Sequence, residues 1–343
     1  MAVSIRRCTE ADVEAVMGFI NDHWRNGHIL AVSRPLFDWQ HACGDGTYNF
    51  LLAWDSASRL LGVLGYIPAG RYNPTLATAD DLIWLALWKI RPDAGQAGLG
   101  LALLRELGRL YPGAQIGVNG INATHPPMYR SLGFQSDELR QYYLTNPQDT
   151  GGLIGGTDGR ALPVPLPGIA TFRSLDAVAL TSLSLPMDGE PVTPAKNSTY
   201  FVRRFLDHPF YHYRVLAVEL EGEIRAILAT RVDQHGQSRA LRIVDFCGDE
   251  RVLAQCGTAL AEVIDSTGAQ YVDFWQFGLS EQYLFAAGFA VVTGTGPIVP
   301  SYFEPFVPAR ARIFFAIKTG RGRAPRVFKA DGDQDRPNKI EAA

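Results

Sequence analysis

The sequence predicts an α/β fold with a mixed sheet, arranged as two folded domains. The chain has 343 residues, more than one typical domain, and its hydrophobic content of 47% is ample for more than one core. Segments with strand and helix patterns alternate between residues 3 and 146. A second, shorter series of the same kind begins at residue 199. We therefore predict two domains joined by a connector.

Charge and cysteine content exclude several classes of protein. The net charge is −3 with balanced signs, which argues against a nucleic-acid partner. The four cysteines lack metal-ligand spacing and are few for this length, so we predict free thiols in a reducing compartment and no metal. The N-terminus has no signal-peptide core, and no apolar run approaches the ~18 residues that cross a membrane. We expect a cytoplasmic protein with no membrane partner.

The first half is predicted to contain its elements in the order βααβββαβαβ. Thr9 and Asp12 form a capping pair at the start of the first helix, which ends near Trp24. A polar turn separates two consecutive strands and predicts a hairpin. Outside the central strand and helix described below, the predicted elements are strand 3–7, helices 13–24 and 35–41, strands 50–54, 60–67 and 115–118, helix 124–131 and strand 141–145.

The second half is predicted to repeat part of this order after a connector rich in glycine and proline. Its elements are a helix at 200–206, strands at 215–220, 224–232 and 241–246, a helix at 252–267, a strand at 271–274 and a helix at 280–287. The series parallels residues 50–134 but has no paired glycines between the third strand and the helix. The predicted domains are 1–149, a connector 150–196, a second domain 197–320 and a polar tail 321–343 that packs on the surface or frays.

The centre of the first half is a strand, a glycine-rich turn and a helix in direct succession. The run LIWLALWKI (Leu82–Ile90) suits a strand buried on both faces. Free N–H groups and the helix dipole at the start of a helix bind anionic oxygens, and Gly98 and Gly100 let a ligand approach the backbone. We call residues 95–101 the glycine turn and predict that it binds phosphate. Leu101, Leu104, Leu107 and Gly108 mark one face of the predicted helix.

Two other phosphate-binding turns do not fit this sequence. No Lys-Ser or Lys-Thr pair follows the glycines, which excludes a nucleoside-triphosphate P-loop. Gly95, Gly98 and Gly100 are in the wrong order for a dinucleotide fingerprint, and the next strand is followed by Asn119 rather than by an acidic residue.

Two motifs in this region point to one superfamily. Ile90, Pro92, Gly98 and Gly100 fall on the pattern Val-x-Pro-x-x-Arg/Gln-Gly-x-Gly-x-Gly. Asn122, Tyr129, Gly133 and Phe134 fall on the pattern Asn-x-x-Ala-x-x-x-Tyr-x-x-x-Gly-Phe. With both motifs in the expected order, the chain resembles the GNAT acyltransferase superfamily, as two GNAT-like domains in tandem of which the second lacks the turn. The departures are Gly95 at the usual Arg or Gln, Gln96 at the first Gly and His125 at the Ala.

The resemblance implies acetyl-CoA, or another acyl-CoA, as the cofactor. Backbone amides of the glycine turn would hold its diphosphate, and a backbone N–H near Leu87 would stabilise the oxyanion. Tyr129 would be the acid that protonates the leaving thiolate. Alternatively, Tyr129 is an aromatic residue of the core or the pocket wall whose hydroxyl is already hydrogen-bonded. Asn122 would contact the pantetheine, or else cap a helix. The implied cofactor-binding residues are Leu87, Lys89, Ile90, Gln96, Ala97, Gly98, Leu99, Gly100, Leu101, Asn122 and Tyr129.

The general base and the acceptor remain open at this stage. Asp81 and His28 are candidate bases, although each could equally be structural. The candidate acceptor-binding residues are His23, Trp24, His28, Asp38 and Trp39. The segment from His23 to His41 resembles bacterial two-domain GNAT proteins of surface-polysaccharide assembly. This resemblance implies a small amine acceptor such as a nucleotide-linked amino sugar. Another amine, or a non-catalytic acyl-CoA-binding module, is the alternative, and a homodimer is possible.

Overall fold

In a computed structural model the chain forms two compact units. The first unit comprises Met1–Asn119 and Gly332–Ala343, and the second comprises Gly120–Asp331. The structure describes residues 3–77, 80–148, 152–157, 161–183, 192–300, 306–320 and 322–338. Each unit is treated by itself below.

The first unit contains a five-stranded sheet and the helices that connect its strands. Its elements are β1 (Val3–Thr9), α1 (Val13–Phe19), α2 (Ile29–Val32), α3 (Arg34–His41), β2 (Thr47–Asp55), β3 (Leu60–Pro68), β4 (Leu82–Ile90), α4 (Leu99–Leu110) and β5 (Gln115–Ile121). The strands follow the order β1-β2-β3-β4-β5, with antiparallel neighbours except for the parallel pair β4 and β5. A helix between two parallel strands is the crossover that such a pair requires.

Helix α4 has a different buried face from the one predicted. It begins at Leu99, and Leu99, Leu103 and Leu107 are buried whereas Leu101 is 39% exposed. The prediction was wrong for Leu101, which lies about 200° around the helix from Leu99, and for Gly108, which is also exposed, whereas Leu104 is half-buried. The four-residue spacing of the buried leucines matches one face of an α-helix.

The second unit is a larger mixed sheet around its own core. Its elements are α5 (Pro126–Ser131), β6 (Gln135–Thr145), β7 (Thr171–Leu175), α6 (Ala177–Thr181), β8 (Val192–Thr193), α7 (Ser198–Phe201), β9 (Arg214–Leu220), β10 (Glu223–His235), β11 (Ser238–Gly248), α8 (Gly257–Thr267), β12 (Tyr271–Phe277), α9 (Glu281–Ala286), β13 (Ala290–Val291), β14 (Ile313–Lys318), β15 (Ala324–Pro325) and β16 (Val327–Phe328). The main strand order is β14-β6-β12-β11-β10-β9-β7. Strand β13 pairs with β6, β16 pairs with β12, and β8 pairs with β15.

The predicted α/β fold class with a mixed sheet is confirmed. Each unit contains a hairpin, a third strand, a helix and a strand parallel to the third, and each parallel ladder has four residue pairs. The predicted domain boundaries stay predictions. The two compact units divide the chain after Asn119 instead of after residue 149. The reason is that β6, predicted in the first domain, pairs with β12 and β14 of the second unit.

The predicted polar tail was wrong in one respect, because part of it is buried. Val327, Phe328 and Ala330 are at most 1% exposed, and four charged side chains between them and Arg336 are also buried. Those four are Lys329, Asp331, Asp333 and Asp335. The charges are tolerated inside because some of them meet opposite charges, as Asp331 does with Lys196 at 3.0 Å. We call residues 332–338, which belong to the first unit, the C-terminal segment.

Candidate functional site

The glycine turn adopts a backbone that only glycine takes up easily. Gly95 and Gly98 have φ of +66° and +80°, and Gly98 is the residue before the first turn of α4. No side chain among the described residues caps this end of the helix. Gly98 and Ala97 are exposed. The first N–H groups of α4 are therefore available to an anionic ligand, with the positive end of the helix dipole behind them.

Gly100 serves a different purpose, since its backbone lies close to an aromatic ring. A Cβ at Gly100 would lie 3.2 Å from the indole Nε1 of Trp88. The lack of a side chain thus lets the first turn of α4 pack against the end of β4. This contact fixes the start of the helix beside the strand that leads into the turn.

Strand β4 contains a bulge just before the turn. Gly65 pairs with Leu87 and Tyr66 pairs with Leu85, so Ala86 is an extra residue on β4. A bulged residue is left out of the ladder and re-aims its neighbours. On the other side of β4, the ladder with β5 ends at Leu85 in the described chain. The edge of β4 from Ala86 onward includes Leu87, Lys89 and Ile90, which are three of the implied cofactor-binding residues.

Asp81 lies at the opposite end of β4 from the glycine turn. The strand has nine residues, so about 30 Å separates its ends. The Asp81 Oδ1 accepts a hydrogen bond of 2.9 Å from the Gly70 N–H, and burial raises the pKa of this carboxyl. These contacts suit a residue that holds the 69–71 turn in place. Its role as a base stays a prediction.

His28 is buried, and both of its ring nitrogens face N–H donors. Its Nδ1 is 3.2 Å from the Leu30 N–H, and its Nε2 is 2.9 Å from Nη2 of Arg336. Burial, followed by the charges of Arg336 and Arg25, lowers the pKa of His28 to about 3, so the ring is neutral at pH 7. A neutral ring with such a low pKa is a weak base at neutral pH.

A neutral imidazole can accept at only one nitrogen, so the two contacts of His28 compete. A hydrogen bond from a charged donor contributes about 1.5–3 kcal/mol, against about 0.5–1.5 kcal/mol for a neutral pair. This difference favours the tautomer that accepts from Arg336 at Nε2 over the one that accepts from Leu30 at Nδ1. The arrangement favours His28 as the residue that orients Arg336, and its predicted catalytic role stays untested.

The other predicted acceptor residues occupy different environments in the first unit. Trp24 is 47% exposed, and the ring of His23 packs edge-on against Phe19 at 4.8 Å between centroids. The Asp38 Oδ1 accepts from Arg34 at 2.7 Å and from the hydroxyl of Tyr48 at 2.8 Å. Trp39 is half-buried, its carbonyl accepts from Arg71, and its ring lies 6.0 Å from Tyr72. Only His28 of this group is buried.

Sequence reasoning missed Arg336, which bonds to His28, and the buried His41. Arg336 was assigned to the polar tail, and His41 was read as part of a helix. The pKa of His41 is lowered to about 3 by complete burial and by the charges of Arg71 and Arg336, and its Nδ1 has no partner in the described structure. A single signal in the sequence could have marked Arg336, namely that the Asp-rich tail directly follows the apolar residues Val327 and Phe328.

Asn122 and Tyr129 both lie in the second unit. Asn122 is exposed, and its Oδ1 accepts from the N–H and the hydroxyl of Thr124 at 3.1 Å and 3.0 Å. Tyr129 on α5 is buried, and its ring packs edge-on against Phe134 at 5.5 Å. Burial raises the pKa of Tyr129 to about 12, so its hydroxyl is a donor at neutral pH. The predicted roles of both residues stay predictions.

A cavity of about 760 Å³ lies within the second unit and is lined by charged groups. Several of the charged residues that line this cavity already have charged or hydroxyl partners. Glu281 meets Arg140 and the hydroxyl of Tyr142, and Glu250 accepts from Arg326 at 3.1 Å. No group of His, Cys, Asp and Glu in the described ranges could hold a metal ion, and no described helix is long and apolar enough to cross a membrane.

The fold is similar to that of solved N-acetyltransferases. A GCN5-related N-acetyltransferase from Anabaena variabilis has a TM-score of 0.53 at 8% identity, over 92% of this chain and 72% of that chain. One from Kribbella flavida has 0.53 at 11% identity, over 92% and 70%. A GCN5-related glucosamine N-acetyltransferase region of a fungal multi-domain β-N-acetylglucosaminidase has 0.52 at 10% identity, over 92% and 38%. No protein-family model matches the chain, and no curated protein does. At these identities the likeness shows the fold.

Proposed function

We propose that this protein is an acyl-CoA-dependent N-acyltransferase of the GNAT type. The observation that carries the proposal is the free N-terminus of α4 next to the bulged edge of β4. The N–H groups of Leu99, Gly100 and Leu101 are suited to the diphosphate of the cofactor. The strand edge from Leu87 to Ile90 is suited to its pantetheine, because unpaired backbone groups can bond an extended amide chain.

Acyl transfer to an amine requires alignment of the reactants, a polarised carbonyl and a proton for the leaving thiolate. Acyl-CoA supplies the activated acyl group as a thioester. The backbone N–H near Leu87, next to the bulge at Ala86, is the proposed oxyanion donor. Tyr129, neutral at pH 7, is the proposed proton donor.

The acceptor in this proposal is a small amine, and a nucleotide-linked amino sugar is the specific candidate. Two observations support it. The segment from His23 to His41 combines aromatic and hydrogen-bonding groups and resembles bacterial two-domain GNAT proteins of surface-polysaccharide assembly. One structure with a similar fold is a glucosamine N-acetyltransferase region. We further propose that residues 197–320 form a GNAT-like domain without its own cofactor site and that the enzyme acts in the cytoplasm as a homodimer.

The substitution Ala97→Glu tests the cofactor site. Ala97 is exposed in the glycine turn and, unlike Gly98, lacks a positive φ, so a side chain there causes no backbone strain. A carboxylate at this position repels the diphosphate by ~2 kcal/mol, and we expect the affinity for acetyl-CoA to fall about 30-fold. Isothermal titration calorimetry measures the change, which should shrink at high salt because exposed charges are screened.

Ala97→Gln is the matched control, since it adds the same bulk without charge and should keep the affinity within about threefold. A thiol-release assay with acetyl-CoA and a panel of amines then tests turnover. A wild-type protein that does not bind CoA would remove the proposal. Binding without release of thiol for any amine would leave a non-catalytic acyl-CoA-binding module.

A further inference from the structure

Arg336, in the C-terminal segment of the first unit, is a largely buried cation. Its side chain is only 16% exposed. A buried guanidinium is normally compensated by carboxylates at hydrogen-bond distance, because removing the charge from water is costly. The contacts of Arg336 depart from that expectation.

Arg336 has two hydrogen-bond partners among the described residues, one neutral and one a carboxylate at a long distance. Its Nη2 donates to His28 Nε2 at 2.9 Å, and His28 is neutral. Its Nε lies 3.4 Å from Oδ2 of Asp333, which is long for a charged hydrogen bond. Burial raises the pKa of Asp333, and the charge of Arg336 opposes that shift. Nη1 of Arg336 makes no hydrogen bond within the part of the chain that the structure describes.

The surroundings of Arg336 add positive charge. The charge of Arg25 also lowers the pKa of His28, and the charges of Arg71 and Arg336 lower the pKa of His41. Arg71 is already bonded to the carbonyls of Ala42 and Trp39. Arg336 thus has protein partners at two of its nitrogens, and among the described residues its Nη1 is left without a hydrogen bond. Such a fork is suited to an anionic oxygen pair.

We propose that Arg336 binds an anionic group of the acyl acceptor, a phosphate or a carboxylate, and that His28 and Asp333 position its guanidinium. The inference rests on the proposed N-acyltransferase function. The acceptor is then an amine that carries negative charge, and Arg336 is the residue that selects it. His28 is then a positioning residue, because it acts through Arg336.

The experiment compares acceptors that differ only in charge, at saturating acetyl-CoA. The panel is glucosamine, glucosamine 6-phosphate, uridine-diphosphate glucosamine and glutamate, which separates phosphate from carboxylate. We expect the wild-type kcat/KM to be at least about tenfold higher for the charged acceptors of one class. Arg336→Gln should lower that kcat/KM about 20-fold, mainly through KM, while glucosamine changes less than about threefold.

Two further variants control for folding and for general loss of charge. Arg336→Lys keeps the charge but not the planar fork, and we expect it to recover part of the lost kcat/KM. Arg109→Gln removes an exposed arginine that pairs with Glu106 on α4, and it should leave the discrimination between acceptors unchanged. Circular dichroism melting shows whether each variant is folded.

Direct binding keeps the two proposals distinguishable. Calorimetry with uridine diphosphate and with glutamate, in the presence of CoA, needs no turnover, and Arg336→Gln should weaken binding of one of them about 20-fold. Wild type and Arg336→Gln that bind both probes equally would overturn the inference, as would a loss of CoA affinity in place of acceptor affinity. If no amine is acetylated, the proposed function fails, and the binding result still decides the role of Arg336.

Discussion

Tyr129→Phe should lower kcat about 100-fold and leave the affinity for acetyl-CoA unchanged. If Tyr129 protonates the leaving thiolate, its loss removes a general acid, an effect of roughly 10²–10⁴. We expect the lower end because burial raises the pKa of Tyr129 to about 12, far above the pH at which general acids are most effective. Steady-state kinetics at saturating acetyl-CoA measures kcat, and calorimetry measures the affinity.

The phenylalanine variant keeps the ring that packs against Phe134, so its fold should be intact. Asn122→Ala provides a comparison in the same unit, because it removes a side chain that bonds only Thr124 in the described structure. If Asn122 contacts the pantetheine, this second variant raises KM for acetyl-CoA instead of lowering kcat. A kcat for Tyr129→Phe within threefold of the wild-type value would assign the proton to solvent or to another residue.

The glycine turn could be predicted because its signals are local. An apolar run, closely spaced glycines and a leucine-rich segment follow one another, and each constrains only its own neighbours in sequence. Gly98 has the positive φ that a left-handed residue before a helix requires. The bulge at Ala86 could not be predicted in this way. It depends on which residues of β3 pair with β4, and residue patterns within β4 do not record that register.

The environment of His28 could not be predicted because its partner is remote in sequence. Arg336 is 308 positions away, and no periodicity links residues at such a distance. Polar composition suggested an exposed tail, yet Asp331, Asp333 and Asp335 are buried. A charged residue is costly to bury without a partner, and composition does not show which remote residue carries the opposite charge. The same limit applies to Lys196, which the sequence placed in a connector.

Lys196→Met should destabilise the second unit by about 3–5 kcal/mol at pH 7, the loss typical of one missing partner in a buried ion pair. Lys196 Nζ lies 2.6 Å from Asp245 Oδ1 and 3.0 Å from Asp331 Oδ1, and all three side chains are at most 3% exposed. Methionine has a similar length but no charge, so the two carboxylates lose the ammonium group that they share. Urea unfolding followed by circular dichroism measures the change in the free energy of unfolding.

The pH dependence of this loss follows from the carboxylates. Burial raises the pKa of Asp245 from its ordinary 3.8 to about 7 even with Lys196 present. A carboxyl whose pKa is raised on folding contributes stability that is fully present below about pH 4 and is lost as the pH rises through about 7. Removing Lys196 raises the pKa further, so the variant should regain stability as the pH falls from 7 to 5, and its deficit relative to wild type should shrink.

Arg173→Met is the matched control, since Arg173 also pairs with a carboxylate in the second unit, Glu219 at 2.6 Å, but is 49% exposed. An exposed pair contributes about 0–1 kcal/mol, so this variant should lose no more than that and show little dependence on pH between 5 and 7. Equal losses for the two variants, or a loss for Lys196→Met that does not change with pH, would mean that Lys196 does not hold Asp245 and Asp331 together. The buried part of the tail would then require another source of stability, and the apolar packing of Phe328 on Phe274, with ring centroids 5.7 Å apart, is the contact that could provide it.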